Sequence, residues 1–313
     1  MDEQGNERRA NEAGERAAAV TAAPAAEAPQ KKRRPVRHMI WAVCLIALAL
    51  MILGQLLGDF LTALPARALG LSDAAWLFLL QYLSFIGIDL AVLLYTLLCE
   101  RPIFRSFGRR AEPWGRGNTA KMFALGLLVG FGINALCIGA AWLHGDLDFS
   151  VGRFDPLYLL AALACVCVQS GAEELLTRGY MLGALRQRYP LWLAAAVNSL
   201  FFGALHLFNP GITLLSFLNV TLFGVFASIA MIRFGSIWFC IALHTAWNFS
   251  QSIFFGLPNS GIVSEGSFLH LEAAVDSALY STAFGVEGTI STTLVYLIPA
   301  LLILLLARRR QET

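Results

Sequence analysis

Three charged residues stand inside an apolar stretch of the chain. Glu173, Glu174 and Arg178 lie in the string SGAEELLTRGYM, with nearly continuous apolar runs over residues 157–168 and 191–208 on either side. Each charge at the centre of a membrane helix costs about 2.5–3.5 kcal/mol, so the three need partners, water or a function. On a helix, Glu174 and Arg178 can pair across one turn, whereas Glu173 is rotated by about 100° and lacks a partner in its own helix.

Two histidines and an asparagine occur in later apolar stretches. His206 ends the string FFGALH, and His244 lies in ALHTAWNF with Asn248 one turn further on, on the same helix face. A carboxylate and an imidazole can hold and deprotonate a water molecule, while an imidazole and an amide can stabilise an oxyanion. The pattern predicts peptide hydrolysis. The structural alternative is a buried Glu–Arg pair that locks two helices, with histidines that only pack.

A metal is a second possibility for the same residues. Glu173, His206 and His244 form a two-histidine, one-glutamate set of the kind that binds zinc with an open position. The compact HExxH spacing of zinc protease helices is absent from the sequence. We favour a metal-free glutamate mechanism without a cofactor and keep a divalent metal such as zinc as the alternative.

The elements that position these residues are predicted to be transmembrane helices. Of the 313 residues, 57% are hydrophobic and 14% are charged, and the mean hydropathy is +0.64. Soluble domains contain roughly a quarter charged residues. The net charge of +2 is too small to indicate a nucleic-acid partner. The composition predicts an all-α, polytopic bundle in a lipid bilayer.

Eight segments are close to the roughly 20 apolar residues that a membrane-spanning helix needs. They are residues 39–58, 76–98, 122–143, 157–182, 191–210, 212–232, 236–255 and 289–306. Lys and Arg precede the first segment and follow the second, fourth, sixth and eighth, whereas acidic residues dominate the loops after the third and seventh. The positive-inside rule therefore places both termini in the cytoplasm. The expected location is a bacterial plasma membrane, crossed several times.

The same patterns divide the chain into four parts. Residues 1–35 are polar and end in a basic cluster, which predicts a disordered tail. Residues 36–121 hold the first two transmembrane helices and a basic cytoplasmic loop, and residues 122–255 hold the transmembrane helices that carry the candidate catalytic residues. Residues 256–313 form an outer loop and the last transmembrane helix.

Helix geometry also predicts the depth of the site. At about 1.5 Å of rise per residue, Glu173 and His244 reach similar depths in the cytoplasmic half of the membrane, but His206 lies too far out. We therefore expect the fourth helix to continue past Arg178 towards Tyr189, and the fifth to begin near Ala194. With that shift, Glu173 and His206 lie within about 12 Å of each other.

Taken together, the motifs resemble those of the CAAX prenyl endopeptidase and bacteriocin-processing (CPBP, or Abi) intramembrane proteases. That family is marked by EExxxR, FxxxH and HxxxN/D on successive helices, which read here as EELLTR, FGALH and HTAWN. The resemblance covers about residues 120–255. It implies an eight-helix, glutamate-dependent endopeptidase that cleaves near the membrane.

The resemblance also implies a role for each catalytic residue. Glu173 and His206 activate water, and His244 and Asn248 form the oxyanion hole. We expect the substrate to be a peptide or another membrane protein, in the lipid bilayer. The family is commonly labelled metalloprotease, which keeps the metal alternative open.

Three further residues have supporting roles by the same resemblance. Glu174 and Arg178 orient the first glutamate, in agreement with their spacing of four residues, and Phe202 shapes the pocket. We expect Glu174→Gln to damage folding or efficiency, and Glu173→Gln to remove turnover while the fold persists.

Two non-proteolytic functions are alternatives. The first is a transporter in which buried polar residues form a proton or ion path, with Asp89 and Asn134 as further members. Such a path predicts repeat symmetry, which the sequence does not show. The second is a catalytically idle scaffold for bacteriocin immunity or secretion, since some relatives of the family are assigned to these functions.

Overall fold

The structure is a computed structural model that describes residues 35–108, 110–111, 116–152, 154–264 and 266–309. The predicted disordered tail, residues 1–35, lies outside the described residues apart from Pro35. The division of the chain into four parts stays a prediction. All the elements below belong to one compact unit, Val36–Thr313.

Most of the described residues are helical. The α-helices are α1 (Ile40–Ala68), α2 (Asp73–Tyr82), α3 (Ile86–Cys99), α4 (Arg101–Gly108), α5 (Ala120–His144), α6 (Pro156–Glu174), α7 (Leu182–Leu185), α8 (Leu191–Leu205), α9 (Leu214–Phe234), α10 (Ile237–Phe249) and α11 (Ile290–Arg309). Two π-helical stretches, Leu175–Met181 and Ser250–Phe254, extend α6 and α10. Short 3-10 turns occupy Val36–His38, Leu83–Phe85 and Val286–Gly288.

The helices confirm an integral, multi-pass membrane protein. Among the described residues, five spans are long and apolar enough to cross a bilayer: Ile40–Ala68, Leu77–Cys99, Ala120–His144, Pro156–Leu185 and Leu214–Phe234. Leu191–Leu205 and Ile290–Leu305 are shorter apolar helices. Each of the eight predicted segments is mainly helical, and the second comprises most of α2, the turn Leu83–Phe85 and α3. Eight crossings, the side of the termini and the bacterial plasma membrane stay predictions.

Because successive long helices run in opposite directions, the connecting segments fall into two groups. We call one group the basic end: residues 35–39, 100–108, 110–111, 116–119, 186–190 and 235–236. Contacts join its members, since Arg37 and His38 both contact Glu100 and the hydroxyl of Ser236 donates to the side-chain carbonyl of Asn118. A two-residue antiparallel ladder, β1 (Arg110–Ala111) with β2 (Arg116–Gly117), also lies here.

We call the other group the loop end: residues 69–72, 145–152, 154–155, 206–213, 255–264 and 266–289. Antiparallel strands β3 (Leu147–Val151) and β4 (Leu269–Ala274) pair here, with a bulge between Asp148 and Phe149. Asn209 donates to the carbonyl of Ser260, which ties two loop-end segments together.

Small residues let the helix that carries the second histidine pack closely. A Cβ atom at Gly126 or Gly130 on α5 would lie 2.5 Å from the carbonyl of Phe239 or 2.1 Å from that of Leu243, both on α10. Backbones that approach this closely require glycine. The GxxxG of α5 therefore serves helix packing within the chain.

The bounds of the fourth and fifth helical segments test the predicted shift. The fourth continues past Arg178, as expected, through the π-helical stretch to Leu185. The prediction that the fifth begins near Ala194 is wrong, because α8 begins at Leu191, directly after Pro190 at its N-cap. The helix ends at Leu205, ahead of the Asn209–Pro210 dipeptide, because proline disfavours a helical conformation in the residue before it.

Candidate active site

A cavity of about 270 Å³ lies between the helices and collects the predicted site residues. Its lining includes Glu173, Phe202, His206, His244 and Asn248. These residues come from α6, α8, the turn after α8, and α10, so three separate segments of the chain meet at one place. The π-helical stretches begin one residue after Glu174 and two residues after Asn248. Such irregular turns occur often at functional sites.

The predicted Glu174–Arg178 pair is present and entirely buried. Arg178 Nη1 lies 3.2 Å from Glu174 Oε1, and both side chains are 0% exposed. Arg178 Nη1 also donates to the hydroxyl of Thr177 at 2.7 Å. Removing one partner of such a buried pair strongly destabilises the folded protein, because the remaining charge is left uncompensated.

Phe202 lies against the guanidinium group of Arg178. The Arg178 Cζ atom is 4.4 Å from the centre of the Phe202 ring and 5.7 Å from that of Phe223. A cation over an aromatic face is attracted by the ring, more strongly where water is absent. The Phe202 ring is also 4.9 Å from that of His206, so it forms part of the cavity wall between the two.

His244 touches both glutamates. Its Nδ1 lies 3.0 Å from Glu174 Oε1, and its Nε2 lies 3.9 Å from Glu173 Oε2. The first contact is a hydrogen bond in which Nδ1–H donates to the carboxylate, which fixes the ring orientation. The second distance is too long for a direct hydrogen bond but is in the range where water can bridge two groups.

Glu173 has one occupied and one free carboxylate oxygen. The amide of Gln169 donates to Oε1. Oε2 is buried and has no hydrogen-bond partner in the described part of the chain. The side chain as a whole is 16% exposed, towards the cavity. The Oε2 atom of Glu174 also lacks a described partner, but Glu174 is 0% exposed and does not line the cavity. Of the two adjacent glutamates, Glu173 is therefore the one that a molecule in the cavity can reach.

His206 lies one residue beyond α8. Its Nδ1 lies 2.9 Å from the carbonyl of Phe202, an acceptor, so Nδ1 carries the proton and Nε2 is left as an acceptor. His206 lines the same cavity as Glu173, but no contact described in the structure joins the two side chains directly. Their pairing as a catalytic base, and the distance of about 12 Å between them, stay predictions.

Asn248 lies near Glu173 through an intermediate residue that the sequence reading overlooked. Its Nδ2 donates to Gln169 Oε1 at 3.0 Å, and the same nitrogen lies 3.5 Å from Ser170 Oγ. Gln169 thus joins Asn248 to Glu173. A signal was available, since Gln169 is one turn before Glu173 in an apolar helix and amides four residues apart from carboxylates often interact.

A second overlooked residue, Glu287, enters the cavity from the loop end. It is 6% exposed, and its Oε1 accepts from the indole N–H of Trp247 at 3.0 Å. Its Oε2 accepts from the backbone N–H and, at 2.8 Å, from the hydroxyl of Ser260. Burial raises the pKa of the Glu287 carboxyl group. Its place in an acidic loop indicates a solvent-facing residue, so the sequence carries no signal for this burial.

The metal alternative lacks an assembled ligand set. Among the described residues, no group of three His, Cys, Asp or Glu side chains is arranged to hold a metal ion. Glu173, His206 and His244 line one cavity without converging as the zinc hypothesis requires. The described geometry therefore does not fit a metal centre. Metal dependence remains a hypothesis for experiment.

Comparison with known proteins shows which family the site-bearing segment of the chain is similar to. Residues 155–250 match the family described as Type II CAAX prenyl endopeptidase Rce1-like. The chain is also 32% identical over 133 residues to a protein of Bacillus subtilis (strain 168) described as Uncharacterized protein YyaK. That alignment covers 38% of this chain and 44% of the relative, so the chain spans less than half the length of the curated relative it matches. Residues 155–250 contain all three motifs, and over them the chain is similar to the Rce1-like CAAX prenyl endopeptidases, which confirms the resemblance predicted from the motifs.

Proposed function

We propose that the chain is an intramembrane endopeptidase that hydrolyses a peptide bond with a water molecule activated by glutamate and histidine. The observation that carries the proposal is the carboxylate of Glu173, a residue that lines the cavity and whose Oε2 atom has no hydrogen-bond partner among the described residues. A carboxylate oxygen in this state is suited to take a proton from water. Helix counting assigns the reaction to the cytoplasmic half of the membrane.

Two acceptors orient the attacking water in this mechanism. Glu173 Oε2 accepts one of its protons and His206 Nε2 accepts the other, since Nδ1 of His206 is already committed to the carbonyl of Phe202. With both protons engaged, the lone pair of the water oxygen is directed at the substrate carbonyl. Glu173 removes a proton as the oxygen–carbon bond forms, and that proton passes to the leaving amine.

Two donors stabilise the oxyanion in this mechanism. His244 donates to the oxyanion through Nε2–H and to the Glu174 carboxylate through Nδ1–H. Two donors on one imidazole ring require both nitrogens to carry a proton. A proton there balances the charge, because Glu173, Glu174 and Arg178 together carry one net negative charge. Asn248 uses one N–H for Gln169 and contributes the other, which has only the 3.5 Å contact to Ser170. One such donor is worth roughly 10²–10³ in turnover.

Glu174 and Arg178 are positioning residues in this proposal. Their pair holds Nδ1 of His244 and so fixes the direction of Nε2, and Arg178 supports Phe202 in the cavity wall. The substrate is a peptide segment or another membrane protein, presented within or beside the lipid bilayer.

The test compares new protein N-termini in cells that express the wild-type chain with cells that express a variant. Glu173→Gln, His206→Ala and His244→Ala should each abolish or greatly reduce the N-termini that depend on the wild-type chain. His270→Ala, in exposed strand β4, is the matched control and should leave them unchanged. Full activity of Glu173→Gln would refute the mechanism. The complete absence of chain-dependent N-termini would favour a scaffold or transporter.

A chelator arm addresses the metal hypothesis separately. The purified wild-type chain in detergent is assayed on peptides identified in cells, with and without EDTA. Unchanged cleavage is the expected result under a metal-free mechanism. Loss of cleavage that added zinc restores would show metal dependence and would require a different account of the water activation.

A further inference from the structure

Glu287 is a carboxylate in the cavity without an assigned role in the hydrolysis. It lines the cavity together with Glu173 and His206, and it is 6% exposed. Burying a charge is costly, so this carboxylate needs partners. Three donors supply them: the indole N–H of Trp247 at 3.0 Å, the hydroxyl of Ser260 at 2.8 Å, and the backbone N–H of Ser260.

The backbone around Glu287 is anchored on a separate helix. The side-chain amide of Asn219, on α9, donates to the carbonyl of Glu287 at 2.9 Å and to that of Thr289 at 2.8 Å. Asn219 is 1% exposed, so these bonds are shielded from water, where hydrogen bonds are stronger. The position of the Glu287 carboxylate is therefore fixed, and it can fix the groups that donate to it.

His206 depends on contacts outside its own helix. It lies one residue past the end of α8, and the backbone N–H of Asn209 donates to its carbonyl at 3.0 Å. The side-chain amide of Asn209 donates to the carbonyl of Ser260 at 2.9 Å, and Ser260 donates in turn to Glu287. Glu287 thus connects the turn that carries His206 to Trp247, on the helix α10 that carries the oxyanion donors.

Ser260 is held in a backbone conformation that serine rarely adopts. Its φ of 48° lies in the left-handed region. Such a conformation costs free energy and persists only where the surroundings fix it. Two backbone hydrogen bonds between Asn259 and Ile262 close the turn, and Glu287 accepts from both donors of Ser260. The Glu287 carboxylate therefore stabilises a strained turn in the cavity wall.

Charge also connects Glu287 to His206. Burial raises the pKa of the Glu287 carboxyl group, while its hydrogen bonds and the charge of His206 act in the opposite direction. The last effect requires the two side chains to lie within range of each other's charge. A negative charge beside an imidazole favours the protonated ring. Glu287 therefore strengthens Nε2 of His206 as an acceptor for a proton of water.

We propose that Glu287 is a positioning residue for the hydrolysis, which holds His206 in register with the oxyanion donors on α10 and supports it with its charge. The inference rests on the proposed function for its chemistry. Replacement by glutamine tests it, because donors surround the carboxylate on both sides. Whichever way the amide is turned, its NH₂ group faces the indole of Trp247 or the donors of Ser260, so at least one hydrogen bond is lost together with the charge.

The first measurement is the kinetics of the purified chain on peptides identified in cells. Glu287→Gln should lower kcat by about 10- to 100-fold with little change in KM, because small displacements of a group that acts on the reacting atoms cost this much. The matched control is Glu272→Gln, an exposed loop-end glutamate that accepts from the hydroxyl of Ser150, and it should leave both constants unchanged. A wild-type kcat in Glu287→Gln would overturn the proposal, and so would a loss that appears only in KM.

Two further variants test the connection through Ser260. Glycine adopts a left-handed φ without strain, so in a Ser260→Gly background Glu287→Gln should lower kcat by a smaller factor. The same factor in both backgrounds would overturn the connection. Asn209→Ala breaks the connection at a partly exposed residue and should also lower kcat. It carries the kinetic test if Glu287→Gln does not fold in thermal unfolding, and a wild-type kcat in Asn209→Ala would then overturn the proposal.

Nitrogen-15 NMR of the histidine rings tests the proposal without a substrate. The chain has five histidines, and the His206 signals are those that disappear in His206→Ala. Glu287→Gln should shift the His206 signals and leave those of His270, on exposed strand β4, in place. Unshifted His206 signals would overturn the proposal whether or not the chain is a peptidase. Shifted signals in a chain that cleaves nothing would refute the proposed function alone and support the connection between Glu287 and His206.

Discussion

The different roles of Glu173 and Glu174 predict different losses of folding stability when each is replaced by glutamine. Glu173→Gln and Glu174→Gln each replace one carboxylate by an amide of nearly the same shape. Glu174 is fully buried and contacts Arg178 at 3.2 Å and His244 at 3.0 Å. Glu173 lines the cavity, accepts one hydrogen bond from Gln169, and has no described partner for its other oxygen.

The expected magnitudes differ for a physical reason. Neutralising Glu174 leaves the guanidinium of Arg178 buried and uncompensated, which costs about 3–5 kcal/mol in other proteins. Neutralising Glu173 removes no ion pair with a permanent cation, and Gln can keep the bond from Gln169, so we expect a change below about 1 kcal/mol. The gap of at least about 2 kcal/mol corresponds to roughly 30-fold in the unfolding equilibrium constant.

The assay is unfolding of the purified chain in mixed detergent–SDS micelles, followed by tryptophan fluorescence and repeated as thermal unfolding. The double variant Glu174→Gln/Arg178→Met removes both charges of the pair. It should be more stable than Glu174→Gln alone by about 2 kcal/mol or more, because no buried charge is then left without a partner. This recovery separates the ion-pair cost from a general effect of substitution at the site.

Equal destabilisation by the two single variants would refute the reasoning. So would a Glu174→Gln chain as stable as the wild type, since the buried pair would then contribute nothing. If Glu173→Gln is the more destabilising variant, the roles of the two residues are exchanged.

Two further predictions concern elements that support the site. Gly130→Ala should destabilise the chain by about 1–3 kcal/mol, because the added methyl group overpacks against α10. The control is Gly132→Ala on the same helix, where the methyl group meets open space and should be neutral or stabilising. Equal effects of the two variants in thermal unfolding would contradict the packing role. Asp146 has a pKa below its ordinary 3.8, chiefly because Ser277 donates a hydrogen bond to it. Its contribution to stability is therefore present above that ordinary value and lost as pH falls through the lower folded-state value, so Asp146→Asn should reduce stability at pH 6 and make less difference near pH 3. A difference between the two chains that does not shrink on acidification would contradict this.

Sequence patterns sufficed for the local features of this protein. Apolar segments of suitable length predict helices, because each spans a distance set by a fixed rise per residue. The spacing of four residues between Glu174 and Arg178 brings them together on any helix, and the pair is present. The start of α8 was predicted three residues late, because Pro190 sets the first turn more strongly than the depth argument allowed.

Spacing along one helix does not predict contacts between residues that are far apart in the chain. Gln169 reads as one more amide in a helix, and its importance depends on Asn248, 79 residues away in the chain. Glu287 reads as a loop acid, yet Trp247 and Ser260 hold it inside the cavity. The resemblance pairs Glu173 with His206, whereas the histidine that the structure shows in contact with Glu173 is His244.

The sequence by itself determined the membrane helices, the motif residues and the local Glu–Arg pair, because these depend on composition and on distances of a few residues along one helix. Tertiary structure decided which glutamate lines the cavity, which histidine nitrogen is committed, and which loop residue, Glu287, reaches the site. Those features depend on how separate helices pack. Side chains from distant parts of the chain must meet before Asn248 can contact Gln169 and His244 can lie beside Glu173 in one cavity.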